Sequence, residues 1–341
     1  MKNLSLLNKV IFFINNILAL LFLASFLIPY VSPKSFPLLS ALSLTVPLLI
    51  LIHIVFTVYW LINGVKKQFL LSALCIFLAI IFSYFPYKFN SKNVVSGSSF
   101  SIMNFNVRLF NHYNWIDDND IPNKILQFIE ENDPDIIAFQ EFYPSIGILS
   151  GYPYIYKELK GGKNKSGQAI YSKYKIVNKG SLDFKNSSNN AIFIDILKGS
   201  DTIRIYDLHL ESIGIEAGNV ELEDLDKDKS KKLVRRITSA FTKQQVQIEQ
   251  FNEHKNNCKH KIIICGDFNN TAYSWAYHQV KDDLKDTYTE AGKGFGKTYS
   301  FNKYPLRIDF IFVDNKFSVN QHENFEIQYS DHEPIIAEIS F

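Results

Sequence analysis

The residues best suited to chemistry in this chain stand where apolar runs end. In "IIICGDFNN", residues 262–270, Ile262, Ile263, Ile264 and Cys265 suit a strand buried on both faces. Gly266 would let the backbone turn where the strand runs out, leaving Asp267 and Asn269 at a strand end. Ligands of α/β proteins bind at the carboxyl ends of strands, where loops line a crevice. A lone "GDFN" would be an ordinary turn, but the pattern recurs. Asn106 and Arg108 interrupt "SFSIMNFNVRLF", Glu141 closes "IIAFQE", His209 lies in "YDLHLES", Asp309 in "RIDFIFV", and Asp331 with His332 precedes the last apolar run. Singly, Glu141 reads as a solvated strand end, His209 as a hydrogen-bonded half-buried imidazole and Asp309 as a partner for Arg307. Together they are four carboxylates, two histidines and two amides in an apolar scaffold. Oxygen donors of this kind suit magnesium, which keeps several waters and is held by one or two carboxylates plus substrate phosphate. A histidine beside it can stabilise or protonate a leaving group. The composition is that of a metal-assisted phosphoesterase centre.

These residues need strands to carry them. "SFSIMNFNVRLF" reads as a strand and "IPNKILQFIEENDPD" as an amphipathic helix ended at Pro134. "IIAFQEF" and "GQAIYSKYKIV" read as further strands, and "NAIFIDILKGSDTIRIYDLHL" as a hairpin turning at Lys198–Asp201. Residues 216–255 form a charged segment that becomes helical around "AFTKQQVQIEQFNEH". Alternation of strands and helices gives an α/β class, and roughly 240 residues suffice for one two-sheet domain.

The first 85 residues differ. Residues 10–28, 38–62 and 69–85 are uncharged, and each approaches the ~20 residues that a spanning helix needs. The first could be a signal peptide after Lys2 and Lys9, but the two runs behind it favour a polytopic anchor. Lys2, Lys9, Lys66 and Lys67 fall on one side and Lys34, Lys88 and Lys92 on the other. That balance places the amino terminus inside and everything after residue 92 outside the cytoplasmic membrane. His53 in the second run reads as a neutral histidine facing a neighbouring helix, with Asn15 and Asn16 facing the bundle or the interface. The organisation is an anchor over 1–87, a polar linker over 88–99 and a folded domain over 100–341. A net charge of +2 gives no argument for nucleic acid. Cys75, Cys258 and Cys265 form neither a metal spacing nor a disulfide framework.

The ordered set "NFNVR", "IIAFQE", "GQAIYSK", "DLHL", "GDFN", "RIDFIFV" and "SDHEP" resembles the endonuclease/exonuclease/phosphatase superfamily over nearly all of residues 100–341. That group includes deoxyribonuclease, AP endonucleases, neutral sphingomyelinases and inositol-polyphosphate phosphatases. The resemblance implies a four-layer sandwich of two mixed β-sheets flanked by helices, here preceded by three transmembrane helices. It implies that Glu141 is the principal ligand of magnesium or manganese, with Asn106 beside it and Asp331 near the metal. Asp267 matches the residue that orients or deprotonates the attacking water, and Asn269 an amide that contacts phosphate. His332 matches the histidine on the scissile phosphate, Asp309 the acid that orients it, and His209 a second phosphate-site histidine. Arg108, next to Asn106, is carried along as a substrate contact.

The implied activity is metal-dependent hydrolysis of phosphoric esters. AP endonucleases carry a Tyr-x-Pro-Asn element and a Tyr before their "GVAL"-type strand. This chain has "IYDLHLES" and "KNKSGQAI" there, which departs from abasic-site repair. Tyr113, Trp115, Tyr273 and Trp275 could stack on bases or meet lipid, and packing explains them as well. The basic runs "KGGKNKSGQ" and "KSKKLVRR" are solvated loops or attract polyanions and anionic head groups. The anchor tilts the expected substrate toward lipid-like phosphodiesters, with an extracytoplasmic nuclease and a silent membrane binding module as alternatives. A silent domain would be expected to have lost at least one of Asn106, Glu141, Asp267, Asn269, Asp309 and His332. The expected location is a bacterial-type inner membrane with the domain on the periplasmic side.

Overall fold

The computed structural model of the protein describes residues 4–64, 67–82, 84, 86–89, 99–144, 149–161, 165–214, 227–301 and 304–340. Lys2, Lys66, Lys92, most of the expected linker and part of the basic run 160–168 lie outside the described residues.

Four apolar helices come first: α1 (Leu6–Ser25), α2 (Pro37–Ala41), α3 (Val46–Ile62) and α4 (Phe69–Ile81). Leu6–Tyr30 and Pro37–Ile62 are each long and apolar enough to cross a membrane, and only 28% and 33% of their apolar windows are buried. A soluble core helix would be mostly buried, whereas α1 turns Leu6, Phe13 and Leu20 outward. The expected third span is shorter than the sequence suggested. The helix stops at Ile81, and its 13 residues rise ~20 Å, less than the ~30 Å hydrocarbon core. Beyond it, Tyr84 folds back to donate its N–H to the Ala79 carbonyl and packs on Tyr273 of the following domain. His53 sits at the centre of the three long helices. Its Nδ1 lies 3.2 Å from the Ser72 hydroxyl, which donates to Asn15 Oδ1 at 2.9 Å, so the histidine has polar company from α1 and α4. Asn16, in contrast, is exposed and donates to the Phe12 carbonyl of its own helix.

The rest is a four-layer sandwich. Its strands are β1 (Lys88–Phe89), β2 (Ser99–Asn106), β3 (Ile136–Phe142), β4 (Tyr154–Lys160), β5 (Ser166–Ser172), β6 (Ile176–Ser181), β7 (Ala191–Lys198), β8 (Asp201–His209), β9 (Lys261–Asp267), β10 (Lys285–Asp286), β11 (Lys293–Gly294), β12 (Tyr299–Phe301), β13 (Tyr304–Leu306), β14 (Asp309–Val313), β15 (Ser318–Asn324) and β16 (Ile335–Ser340). One sheet runs β15-β16-β2-β3-β5-β4 and the other β10-β14-β9-β8-β7-β6. Each is built around one parallel pair, β2 with β3 and β8 with β9, flanked by antiparallel neighbours. Helix α5 (Ile121–Asn132) covers the first sheet through Ile125 and Ile129. Helices α6 (Lys227–Asn256) and α7 (Trp275–Lys281) cover the second through Ile248, Phe251, Tyr277 and Val280, while α8 (Thr287–Ala291) lies at its edge.

The two-residue period of the strands decides what faces what. Ile102, Ile136, Ala138, Ile203, Ile205, Ile263 and Ile311 meet between the sheets, while Met103, Phe105, Tyr206, Ile264, Phe310 and Phe312 turn to the helices. The hairpin turns as expected, with Lys198 paired to Asp201. Four local readings are corrected. "SFSIMNFNVRLF" ends as a strand at Asn106, after which Arg108–Asn111 wind through a left-handed turn. "GQAIYSKYKIV" is two strands, and they lie in different sheets: β5 in the first and β6 in the second. Helix α6 is 30 residues long and begins at Lys227, well before the apolar stretch that signalled it. Lys88–Phe89, placed in the linker by composition, pairs instead with Lys293–Gly294 of the domain.

The anchor and the domain meet along a polar seam. Ser43 donates to Asn270 Oδ1 at 3.2 Å, Thr271 donates to the Ser43 carbonyl at 3.0 Å, and Tyr273 donates to the Tyr84 carbonyl at 2.9 Å. The Lys34 N–H donates to Gln245 Oε1 at 2.9 Å. The carboxyl end of α1, the amino end of α3 and the chain after α4 therefore all face the domain.

Candidate active site

Each sheet delivers residues from the ends of its central parallel pair and from the start of the antiparallel strand beside it. From the first sheet come Asn106 at the end of β2, Glu141 near the end of β3, and Asp331 and His332 just before β16. From the second come His209 at the end of β8, Asp267 at the end of β9 and Asp309 opening β14, the last two directly opposite in register. Alternation carries Asn106, His209, Asp267 and Asp309 onto the inward faces that Ile102, Ile205, Cys265 and Ile311 begin. Glu141 breaks that rule. It follows the inward Gln140, so strict alternation would turn it outward, but the register shifts between Phe139 and Phe142 and Glu141 takes a left-handed φ of 49°. Asn269 (φ 48°) and Arg108 (φ 41°) share that conformation. Such backbone costs of order 1–3 kcal/mol per residue and clusters where a site holds side chains in place.

Asp267 is the hub. Its Oδ2 accepts from Asn106 Nδ2 at 3.1 Å and lies 3.6 Å from His209 Nε2 and 3.7 Å from His332 Nε2. Its Oδ1 accepts the Asn269 N–H at 2.8 Å. Burial pushes its pKa up to about 6, against the pull of His332. His332 donates from Nδ1 to Asp309 Oδ2 at 2.9 Å. Burial alone would lower the His332 pKa, but Asp309 and Asp267 outweigh it and hold the ring well above its ordinary value, as a cation at neutral pH. Burial pushes the pKa of His209 down, outweighing the nearby Asp267 carboxylate, and the ring stays neutral. Asn269 also donates to the Leu210 carbonyl at 3.0 Å, which fixes its amide at the edge of the cluster.

On the facing side, Asn106 Nδ2 reaches Glu141 Oε1 at 3.3 Å, and Arg108 lies 3.4 Å from Asp331 and 4.5 Å above the Trp115 ring. Burial and then the charge of Asp331 raise the Glu141 pKa. A half-buried carboxylate facing a second one would be stabilised by a hard cation, so these oxygen donors fit magnesium or manganese. Asp267, Asp309 and His332 also bring ligand atoms within 4.8 Å of one another. There the His332 ring already bonds Asp309, and its charge sits between the two acids. A proton already satisfies that group.

All nine residues singled out in the sequence thus converge on one cleft. Their expected partners do not all hold: Arg307 pairs with Asp286 at 2.8 Å rather than with Asp309. Tyr113 and Trp115 lie exposed beside Arg108, whereas Tyr273 belongs to the anchor seam and Trp275 packs on the core of the second sheet. Two features were missed. Tyr299 packs its ring on His332 at 4.9 Å, a contact nothing in "KTYSF" signals. Beneath the site lies a buried polar layer of Asn104, Gln140, Gln168 and Asp207. Gln140 Nε2 donates to Asn104 Oδ1 at 2.9 Å and to Asp207 Oδ1 at 2.7 Å, and Gln168 donates to the Asp207 carbonyl at 3.0 Å. Burial pushes Asp207 up to about 8. The signal was there: in "NFN" and "DLH" a polar residue stands two before the site residue, on the same face. Gly266 also serves differently from expectation. It stays inside β9, and a Cβ there would lie 1.9 Å from the Leu208 carbonyl oxygen, so glycine permits the close approach of β8.

Residues 103–332 match a family described as "Endonuclease/Exonuclease/phosphatase family", and residues 8–85 match a domain of unknown function. No curated protein matches the chain. Among solved structures, the human Nocturnin catalytic domain with a bound sulfate anion aligns at TM-score 0.55 and 17% identity, over 71% of this chain and 93% of that one. A humanized D. rerio TDP2 aligns at 0.54 and 15% over 71% and 99%. An endonuclease/exonuclease/phosphatase from Beutenbergia cavernae DSM 12333 aligns at 0.52 and 14% over 71% and 72%. At these identities the likeness is one of fold.

Proposed function

This chain belongs to the endonuclease/exonuclease/phosphatase family, and from that premise we propose a membrane-anchored, metal-dependent phosphoesterase that hydrolyses phosphodiesters near a membrane surface. The observation that carries it is Asp267 held between two histidines, 3.6 and 3.7 Å away, with one of them fixed by Asp309. Asp267, ionised above about pH 6, accepts the proton of the attacking water. His332 is cationic and faces the phosphoryl oxygens, where it offsets developing negative charge or hands a proton to the leaving oxygen. Asp309 fixes the orientation of its ring. Neutral His209 and the Asn269 amide donate to the same phosphate, and Arg108 holds a second oxygen from the opposite wall. Asn106, Glu141 and Asp331 would hold a divalent cation, whose charge neutralises the phosphate against an incoming nucleophile. Two apolar helices before the domain support a membrane location.

The test uses the full chain in lipid nanodiscs, because Asn270 and Thr271, next to Asn269, depend on Ser43 of the anchor. Turnover of a bis-aryl phosphodiester and of a lipid phosphodiester is measured with magnesium, manganese or EDTA. Metal-dependent hydrolysis lost in Asp267→Asn is expected. A folded protein inert toward both substrates, but active on DNA or RNA, would replace the lipid reading with the nuclease one that the exposed Trp115 and Tyr113 could serve. Inactivity on all four would leave a binding module.

A further inference from the structure

A cavity of about 890 Å³ lies beside the catalytic cleft, at the junction of anchor and domain, and none of the nine site residues lines it. This volume falls in the ~300–1,000 Å³ range of small-molecule sites. One wall is the amino half of α3, with Leu48, Leu51 and Ile54. The other is domain surface, with Ala272, Tyr273, Tyr304 and Leu306. Phe82, Tyr84, Tyr87 and Phe89 close it where the chain leaves α4. Lysines 88, 281 and 297 and Arg307 also line it, and no carboxylate does among the described residues.

We infer that this cavity binds one anionic phospholipid drawn from the bilayer, its acyl chains against α3 and its phosphate toward the lysines. The inference rests on reading Leu6–Tyr30 and Pro37–Ile62 as membrane spans. Four observations select that occupant. A wall made by a spanning helix is continuous with the hydrocarbon layer, so an acyl chain can enter sideways. Apolar rings with polar tips, as in Tyr84, Tyr87, Tyr273 and Tyr304, suit the depth where acyl chains meet head groups. Arg307 and Lys297 already pair with Asp286 and Glu333, so among the described residues Lys88 and Lys281 are the lining cations left to complement an anion. The domain wall, moreover, begins at Thr271, two residues after Asn269, so the lipid would rest on the chain that carries a phosphate-contacting amide.

The experiment places the full chain in nanodiscs with phosphatidylglycerol or phosphatidylcholine probes that carry a photoreactive acyl chain, then maps adducts by peptide. Expected are adducts on both walls, residues 48–54 and 272–306, favouring phosphatidylglycerol by about fivefold for each lysine that meets the head group. Leu306→Trp, which fills the cavity, should remove them, and Leu48→Trp does the same from the anchor side should the first variant misfold. Lys88→Glu with Lys281→Glu should keep the adducts and lose the preference. Phe13 and Leu20, on the outer face of α1, should be labelled by either probe in every variant. Adducts on α1 without adducts on the domain wall would overturn the lipid site and leave the spans standing. An unlabelled α1 would overturn the span reading and the lipid site with it. A preference that survives the lysine reversals, or crosslinks between two copies through the cavity, would also overturn it.

Discussion

The two sheets share a plan and divide the chemistry. Each offers the ends of a central parallel pair and the opening of an antiparallel neighbour, yet the first supplies Glu141, Asp331 and Asn106 while the second supplies Asp267, His209 and Asp309. The first half gathers oxygen donors around a raised carboxylate, Glu141, and suits a cation. The second surrounds a carboxylate with imidazoles and suits proton transfer, with His332 crossing over from the first sheet to join it. One layer deeper the contrast persists: the first sheet contributes only amides, Asn104, Gln140 and Gln168, and the second contributes Asp207, which can ionise. Similar topology, then, does not fix the charge of a site. The residue types at equivalent strand ends do.

The largest expected effect strikes the second half. Asp267→Asn and His332→Ala should each cost ~10²–10⁴-fold in turnover at any metal concentration, with an unchanged melting temperature. If added metal rescued either variant, the division between the sheets would fail. Next, Glu141→Gln should weaken the metal requirement's midpoint by ~10–100-fold and recover part of its activity as magnesium is raised. Loss that metal cannot recover would place Glu141 with the proton-transfer group. The pH profile of the wild-type protein sharpens the same point. Asp267 must be ionised to act, and burial holds it up to about 6, so activity should rise with pH through about 6 and lose that limb in Asp267→Asn.

Smaller effects test the scaffold. Gly266→Ala should destabilise by ~1–3 kcal/mol, because the added carbon meets the Leu208 carbonyl. At the corresponding place in the first sheet Phe105 stands beside Phe139, and the close-approach glycine of that sheet is Gly167 in β5, where an added carbon would meet the Glu158 carbonyl. Asp207→Asn should act in the opposite direction. A carboxyl raised to about 8 in the folded state and near 3.8 when unfolded costs stability increasingly as pH rises between those values. The amide removes that cost. Its melting temperature should exceed the wild type's at pH 7.5, each ~1 kcal/mol appearing as about 2–4 °C, and the gain should vanish toward pH 4. A gain that did not depend on pH would show that Asp207 is not the ionising member of the layer.

Much of this molecule could be read in its sequence because the relevant physics is local. Alternation at period two set the faces of the strands, so Ile203, Ile205 and then His209 were already aligned before any partner was known. Uncharged runs marked the apolar helices at the amino terminus, two of them long enough to cross a membrane, and polar residues at apolar strand ends marked nine members of the site. What the sequence did not determine lies between segments. Asn106 and Asp267 stand 161 positions apart and meet only because two sheets pack face to face. Glu141 points into the cleft because a bulge overturns its own alternation. Arg307 chose Asp286 over Asp309, two residues away, and "GQAIYSKYKIV" divided between two sheets. The helix from residue 69 ended at Ile81, and Tyr84 beyond it packs on Tyr273 of the domain. Short-range periodicity is written in consecutive residues, whereas each of these outcomes depends on which distant surface a segment buries, and only the packed tertiary structure supplies that surface.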